Sequence, residues 1–366
     1  MQAKTRKWLL LALLLLICLS IPATSAVAQN STSAKACVVV EQSTGRVLFA
    51  KNADEQLPMA STTKIVTALT VLQNCQNLHQ IVEIPAQAVG VEGSSIYLKQ
   101  GEKLSVLQLL YGLMLRSGND SAVALAIHVG GSVPNFVEMM NDVARQNGCV
   151  NTHFDNPHGL HSANHYTSAS DLAKLTCVAM NNADFCKIVS TKQTTIPNET
   201  QSYPRVLTNK NKLLFNMEGA NGVKTGYTKK AGRCFVGSAK LNGMQVVCVV
   251  LNCGPMFEET QQLLQNATAT FSMKCLVPLN KVCGVVFVRG KPTYYYCPQA
   301  FYYPLCSSDV VERKILLDNQ PCVQVFVNGE KVANCHLSQR ELSTSTCFQV
   351  LFSSFFLLSF VENSLC

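Results

Sequence analysis

Three short groups of residues, in a fixed order, hold side chains that together can perform acyl transfer. Ser61-Thr62-Thr63-Lys64 comes first, Ser117-Gly118-Asn119 second and Lys224-Thr225-Gly226 third. A serine hydroxyl is a weak nucleophile until an adjacent base takes its proton. Residues i and i+3 of a helix share a face, so the Lys64 amine can reach the Ser61 hydroxyl if a helix starts there. Lysine is a base only when neutral. Burial, the positive end of a helix and a second cation each lower its pKa, and Lys224 is available as that cation.

The other two groups complete the chemistry. Ser117 offers a hydroxyl that both donates and accepts, and Asn119 offers a carbonyl and an NH₂. That pair suits a proton relay to a leaving amine and an anchor for a peptide backbone. Lys224 and Thr225 can hold a carboxylate by charge and hydrogen bond, and Gly226 lets a ligand come close to the backbone. Each group alone has a plainer reading: a Ser cap with an exposed Lys, a Ser-Gly-Asn turn, and a strand with a glycine bulge. Their complementary roles and fixed order favour the joint reading.

The elements that must position these residues can be read from periodicity and turn chemistry. Ala36 to Gln42 and Arg46 to Lys51 read as two strands around Ser43-Thr44-Gly45. A helix is expected from about Ser61 to Leu72, and its apolar Ile65, Val66, Ala68 and Leu69 argue that it is buried. Val106 to Leu115, Ser121 to Val129 and Pro134 to Ala144 have helical periodicity. This leaves Ser117-Gly118-Asn119 as a tight connection between two helices. Ser168 to Met180 reads as a helix with Ser168 as N-cap. Lys224-Thr225-Gly226 reads as an edge strand beside a cleft. Cys234 to Lys240 and Gln245 to Leu251 form a hairpin around Leu241-Asn242-Gly243, and Glu258 to Phe271 a helix. From Lys274 to Leu337 the pattern changes to short strands with Pro, Gly and Asn turns.

Bulk properties narrow the class. The chain has 366 residues, 48% hydrophobic and 14% charged, enough for about two domains and too apolar for a disordered chain. Residues 1–28 read as a signal peptide: Lys4, Arg6 and Lys7, then an apolar run from Trp8 to Ile21, then Ala26-Val27-Ala28 as cleavage site. The formal charge is +8, three of it from that leader. It is spread along the chain without a Lys/Arg block, which argues against nucleic acid and suits an anionic envelope polymer or membrane surface. Seventeen cysteines without a single C-x-x-C give no zinc-ribbon or thioredoxin signature. Several sit inside apolar strand-like runs, where a buried thiol acts as a small hydrophobe. Mostly free thiols are expected, with a few disulfides allowed in the C-terminal third. Residues 341–366 form an apolar tail that reads as a membrane-associating interfacial helix; a buried C-terminal helix is the plainer reading. Exported, extracytoplasmic action at the outer face of the cytoplasmic membrane follows as an expectation.

With these motifs in place the chain resembles the serine D-alanyl-D-alanine carboxypeptidases, the low-molecular-mass penicillin-binding proteins. The resemblance extends over roughly residues 35 to 335. It includes Asn156-Pro157-His158-Gly159-Leu160, His165-Tyr166-Thr167-Ser168-Ala169, Asp171-Leu172-Ala173, and Asn221 to Thr228 running into Ala231-Gly232-Arg233-Cys234. It implies an α+β fold with a β-lactamase/transpeptidase-like catalytic domain at residues 29–273, an antiparallel sheet flanked by helices with a helical lobe. A small β-rich C-terminal domain at 274–340 follows. It implies that Ser61 attacks the bond between two terminal D-alanines of a peptidoglycan stem peptide, with Lys64 as base. The backbone N–H groups of Ser61 and Tyr227 would form the oxyanion site. Ser117 would pass a proton to the leaving residue, Asn119 would hold the peptide, and Lys224, Thr225 and Gly226 would bind around the terminal carboxylate. No metal or organic cofactor is implied, and β-lactams would acylate Ser61. One departure is the tail, where no Lys or Arg follows Glu341.

Other readings remain open. A serine β-lactamase needs a base for deacylation, but Glu138, Glu199 and Glu218 lack the Glu-x-x-x-Asn wording of that base. His153, Asp155, His158, His161 and His165 crowd into one stretch, but Pro157 and Gly159 break a helix there, and no His-Glu-x-x-His is present. A non-enzymatic penicillin-binding cell-wall protein would keep the fold without turnover.

Overall fold

Strand residues alternate between two faces, and in the central strands of the main sheet both faces are buried. The computed structural model describes residues 31–199, 201–288 and 291–340. The signal peptide and the apolar tail expected from the sequence lie outside the described residues. Strand Ala36–Glu41 sends Ala36, Val38 and Val40 to one core and Cys37 and Val39 to another. Strand Met244–Leu251 divides in the same way, with Val247, Val249 and Leu251 on one side and Val246, Cys248 and Val250 on the other. These strands lie inside a five-stranded antiparallel sheet of spatial order Val47–Lys51, Ala36–Glu41, Met244–Leu251, Gly232–Leu241, Ala220–Thr228. Ala220–Thr228 is an edge strand, as the Lys224-Thr225-Gly226 pattern predicts.

One face of the sheet packs on Met256–Thr270, which buries Leu263, Leu264 and Ala267. The other supports helices Lys64–Asn74, Val106–Leu115, Asn119–Gly130, Val133–Gln146, Ala169–Ala179 and Ala183–Ser190. The caps follow local chemistry. Ser105 and Gln108 close a capping box on Val106–Leu115, and the Ser168 hydroxyl accepts from Asp171 N at 3.1 Å. The Asn242-Gly243 turn, with φ of 50° and 76°, has the two left-handed residues that a tight hairpin requires.

After Phe271 every described element is a strand. Leu276, Tyr295, Val323, Val325 and Leu337 form a separate core there. Arg46, just before the Val47–Lys51 strand, ties the two parts together. Its guanidinium pairs with Asp309 at 2.8 Å through both terminal nitrogens, and it stacks on Phe271 and Tyr303 at 5.0 and 5.2 Å. The fourteen described cysteines carry free thiols, seven of them buried; Cys37, Cys248 and Cys253 serve as packing within the second core. Among the described residues no single helix is long and apolar enough to cross a membrane.

Candidate active site

The first difference from the sequence reading is at Ser61 itself. The α-helix runs Lys64–Asn74, and Ala60–Thr63 is a separate 3-10 turn leading into it. Ala60 sits at φ 50°, a left-handed conformation that an L side chain adopts only under constraint. Two glycines supply that constraint by lying against the turn. A Cβ on Gly226 would stand 2.9 Å from Ser61 N, and one on Gly159 would stand 2.0 Å from Ala60 O. The edge strand and the Asn156–Leu160 loop therefore clamp the Ser61 backbone from two sides.

The predicted pair meets inside this clamp. Lys64 Nζ is 3.0 Å from Ser61 Oγ, 2.7 Å from Asn119 Oδ1 and 2.5 Å from His158 O. Three partners around one amine have a chemical consequence. An ammonium would donate to all three. A neutral amine keeps two N–H groups for Asn119 and the His158 carbonyl and turns its lone pair to the Ser61 hydroxyl, which is the arrangement of a general base. Lys64 is fully buried, and its pKa is driven well below the ordinary lysine value. Burial is the main cause, followed by the positive charges of Lys224 and Lys210; Asp120 opposes them.

Ser117 occupies the tight connection before Asn119–Gly130, at φ 64°. Its Oγ is buried and has no hydrogen-bond partner among the described residues. A buried orphan hydroxyl is costly unless something arrives to pair with it. Asn119 Nδ2 donates to Glu92 O at 2.5 Å, which fixes the amide so that its oxygen faces Lys64. Asp120 next door accepts from Ser95 Oγ and the backbone N–H groups of Ile96 and Leu98, holding residues 94–98 against this helix.

Lys224 is buried, donates to Thr225 O at 2.9 Å, and has its pKa lowered to about 7 by burial and then by the Lys210 charge. Ser61, Ser94, Ser117, Lys210, Thr225, Gly226, Tyr227 and the Met256 and Phe257 wall line one cleft of about 360 Å³. Of the predicted site residues, Ser61, Ser117, Thr225, Gly226 and Tyr227 thus share the cleft, and Lys64, Asn119 and Lys224 lie buried behind it. Lys210, Ser94 and the His158 carbonyl were not foreseen. Only a general pattern, a lysine flanked by Asn209 and Asn211 close before the third motif, could have pointed to Lys210.

The histidine-rich segment is a bracing loop. Neutral His165, whose pKa burial lowers to about 4, accepts from Asp155 N through Nδ1 and donates from Nε2 to Thr63 Oγ1 at 2.8 Å. Thr63 Oγ1 in turn donates to Ala60 O. His158 Nδ1 accepts from Leu160 N, and Asn156 holds His158 N and Gly159 N. These bonds hold the loop so that its His158 carbonyl meets Lys64. Of the three glutamates considered as deacylating bases, Glu138 pairs with Arg145, Glu199 accepts from Lys103 N, and Glu218 is exposed; none lines the cleft.

Known proteins resemble the chain in sequence and in fold. A family model described as Peptidase_S11, D-alanyl-D-alanine carboxypeptidase, matches residues 23–254. The D-alanyl-D-alanine carboxypeptidase DacF of Bacillus subtilis is 34% identical over 269 residues, which span 71% of this chain and 69% of the relative. The structure of penicillin binding protein 5 from Haemophilus influenzae superposes with a TM-score of 0.73 at 27% identity, covering 85% of this chain and 97% of that one. The Streptomyces K15 DD-transpeptidase superposes at 0.62 with 34% identity, covering 65% of this chain and 98% of the other.

Proposed function

Because the chain belongs to the D-alanyl-D-alanine carboxypeptidase family, we propose that it removes the terminal D-alanine from peptidoglycan stem peptides through an acyl-Ser61 ester. The observation that carries the roles is the Lys64 amine, buried, with its pKa driven well below the ordinary lysine value, 3.0 Å from the Ser61 hydroxyl with its two other partners both acceptors. Lys64 takes the Ser61 proton as Oγ adds to the carbonyl carbon. The oxyanion sits between the Ser61 and Tyr227 backbone N–H groups. The Ser117 hydroxyl, unpaired in the cleft, relays a proton to the departing amine as the C–N bond breaks. Lys224, Thr225 and Lys210 hold the carboxylate, Gly226 gives the backbone close approach, and Asn119 holds the peptide as well as Lys64. Water then hydrolyses the ester and Ser61 recovers its proton. β-Lactams enter the same path and stop at the ester.

The surrounding organisation is part of this proposal. Residues 1–28 direct export, 29–273 form the catalytic domain, and 274–340 a small β domain. Residues 341–366 touch the outer face of the cytoplasmic membrane.

The pH dependence of D-alanine release from a short acyl-D-alanyl-D-alanine peptide tests these roles. For the free enzyme, kcat/KM rises with pH as Lys64 loses its proton, because only the neutral amine is a base. It falls again as Lys224, with its pKa near 7, loses the charge that holds the carboxylate. Lys224→Arg retains a cation at every accessible pH, so the alkaline limb should move, with Lys210 left as the titrating cation at the carboxylate, while the acid limb stays. An alkaline limb that keeps its position in Lys224→Arg contradicts the assignment.

A further inference from the structure

Three cysteines converge in the small β-rich part of the chain. Cys283 belongs to strand Val282–Val288, Cys297 follows strand Lys291–Tyr296, and Cys335 lies near the end of strand Glu330–His336. The pairing registers explain why they meet. Tyr296 is paired with Val282 on one side and with Ser338 on the other, so Cys297 leaves the middle strand with Cys283 to one side and Cys335 to the other. Continued by one residue, the second register sets Cys297 across from Leu337, which makes Cys335 its diagonal neighbour. Diagonal residues of an antiparallel pair share a face and lie within side-chain reach. All three side chains accordingly pack on the core of Leu276, Tyr295, Val323, Val325 and Leu337. Cys297 Sγ is 3.8 Å from the carbonyl oxygen of His336, the residue after Cys335. Of the thiols around Cys335, Cys297 acts on it most strongly, ahead of Cys283 and Cys322. Cys37 and Cys248 also meet, but both are wholly enclosed in the second core, out of reach of any oxidant. Here the exposures differ: Cys297 is buried, whereas Cys283 and Cys335 are half-buried.

This part of the chain is also short of core. Among the described residues only eight buried side chains form it, Cys297 among them, and small folding units of that kind commonly depend on a covalent staple. We propose that Cys297 and Cys335 are a disulfide site, oxidised by a small-molecule disulfide such as oxidised glutathione, and that the bond staples strand Lys291–Tyr296 to the corner between Glu330–His336 and Ser338–Arg340. The Cys335 thiolate, the more exposed of the two, attacks one sulfur of the oxidant. That S–S bond breaks, one small thiolate leaves and takes up a proton, and a mixed disulfide remains on Cys335. Cys297 gives up its proton and attacks Cys335 Sγ, and the second small thiolate leaves and is protonated in turn. Two protein thiols lose two electrons and two protons in all, and one small disulfide becomes two thiols. Burial raises the Cys335 thiol to about 11, so the folded form holds little thiolate and exchanges slowly. The bond is therefore made while these strands assemble, in a compartment that is not reducing. By tying positions 297 and 335 together it restricts the unfolded chain and so stabilises this part of the fold. None of these thiols lines the catalytic cleft, and the inference stands apart from the carboxypeptidase reading.

The test refolds the full-length protein in a buffer of oxidised and reduced glutathione and, in parallel, with a phosphine reductant. Free thiols are then blocked and the peptides mapped by mass spectrometry without reduction. A Cys297–Cys335 linked peptide is expected from oxidised wild type and from oxidised Cys283→Ser, and none from Cys335→Ser. Cys335 is half-buried, so a serine fits there without opening a cavity. Pulsed hydrogen exchange in urea then reads the midpoint at which residues 274–340 open. That midpoint should lie about 1 M or more higher in oxidised than in reduced wild type, and Cys335→Ser should show the same midpoint in both buffers. Three results overturn the assignment: both thiols blocked in oxidised wild type, a Cys283–Cys297 link in place of the expected one, or a midpoint that responds to oxidation equally in wild type and Cys335→Ser.

Discussion

Replacing Lys64 with methionine is expected to lower the rate of acylation by benzylpenicillin by roughly four orders of magnitude, the scale seen when a member of a nucleophile–base unit is removed. The side chain's length and apolar stem are kept, so packing changes little. What is lost is the one amine that, among the described residues, lies within hydrogen-bond distance of the Ser61 hydroxyl. Lys64→Arg separates basicity from charge. It keeps a cation in the site but cannot give up its proton in a protein, so it should be as slow as the methionine variant. If a positive charge beside Ser61 were all that mattered, arginine would retain most of the rate. Time-resolved mass spectrometry of the acyl-protein measures both variants against wild type. A Lys64→Arg rate within tenfold of wild type contradicts the general-base role.

The second large effect is on stability. Gly159→Ala should cost about 3 kcal/mol or more, at the upper end for single substitutions. Two penalties act together. Gly159 lies at φ 93°, where an L side chain is strained, and its added Cβ would fall 2.0 Å from Ala60 O and 2.9 Å from Ser61 N. Those atoms are backbone and cannot turn aside as a flexible side chain could. Gly148→Ala is the control. It has φ of 66° but nothing within 4 Å of the added Cβ, so it should cost only the conformational strain, about 1 kcal/mol. Urea denaturation of the two variants measures the difference. Any folded Gly159→Ala protein should also acylate slowly, because relief of the clash moves the Ala60–Ser61 turn or the His158 carbonyl. Equal destabilisation by the two substitutions would mean that the loop does not press on the serine turn.

The parts of this site that were legible in the sequence are those carried by side chains at local spacing. Ser61 and Lys64 meet because they are three residues apart on one helical face. Ser117 sits on a connection that two flanking apolar helices define, and Asn119 begins the second of them. Lys224 to Gly226 lie on an edge strand whose partner, Gly232–Leu241, reads clearly as half of a hairpin. The two-faced burial of Ala36–Glu41 follows from its unbroken apolar run. What stayed hidden was set by backbone atoms and by distant contacts. The left-handed Ala60 is imposed by Gly159 and Gly226, far away in sequence, and it converts the expected helix start into a 3-10 turn. The His158 carbonyl has no side-chain signature at all. The His153–His165 stretch suggested ligands by composition, whereas the rings of His153, His158 and His165 hydrogen-bond to the chain's own backbone and to Thr63. Ala183–Ser190 and the Gln193–Ile196/Arg205–Thr208 hairpin are short. Packing against the sheet and the lobe decides them more than propensity does.

The central claim is that Ser61 is the residue acylated. Its most direct test is the intact mass of the purified protein after brief exposure to benzylpenicillin, followed for an hour, with Ser61→Ala alongside. The account predicts one persistent adduct on wild type and none on Ser61→Ala. An adduct that survives in Ser61→Ala, or folded wild type that takes up no drug, would contradict it.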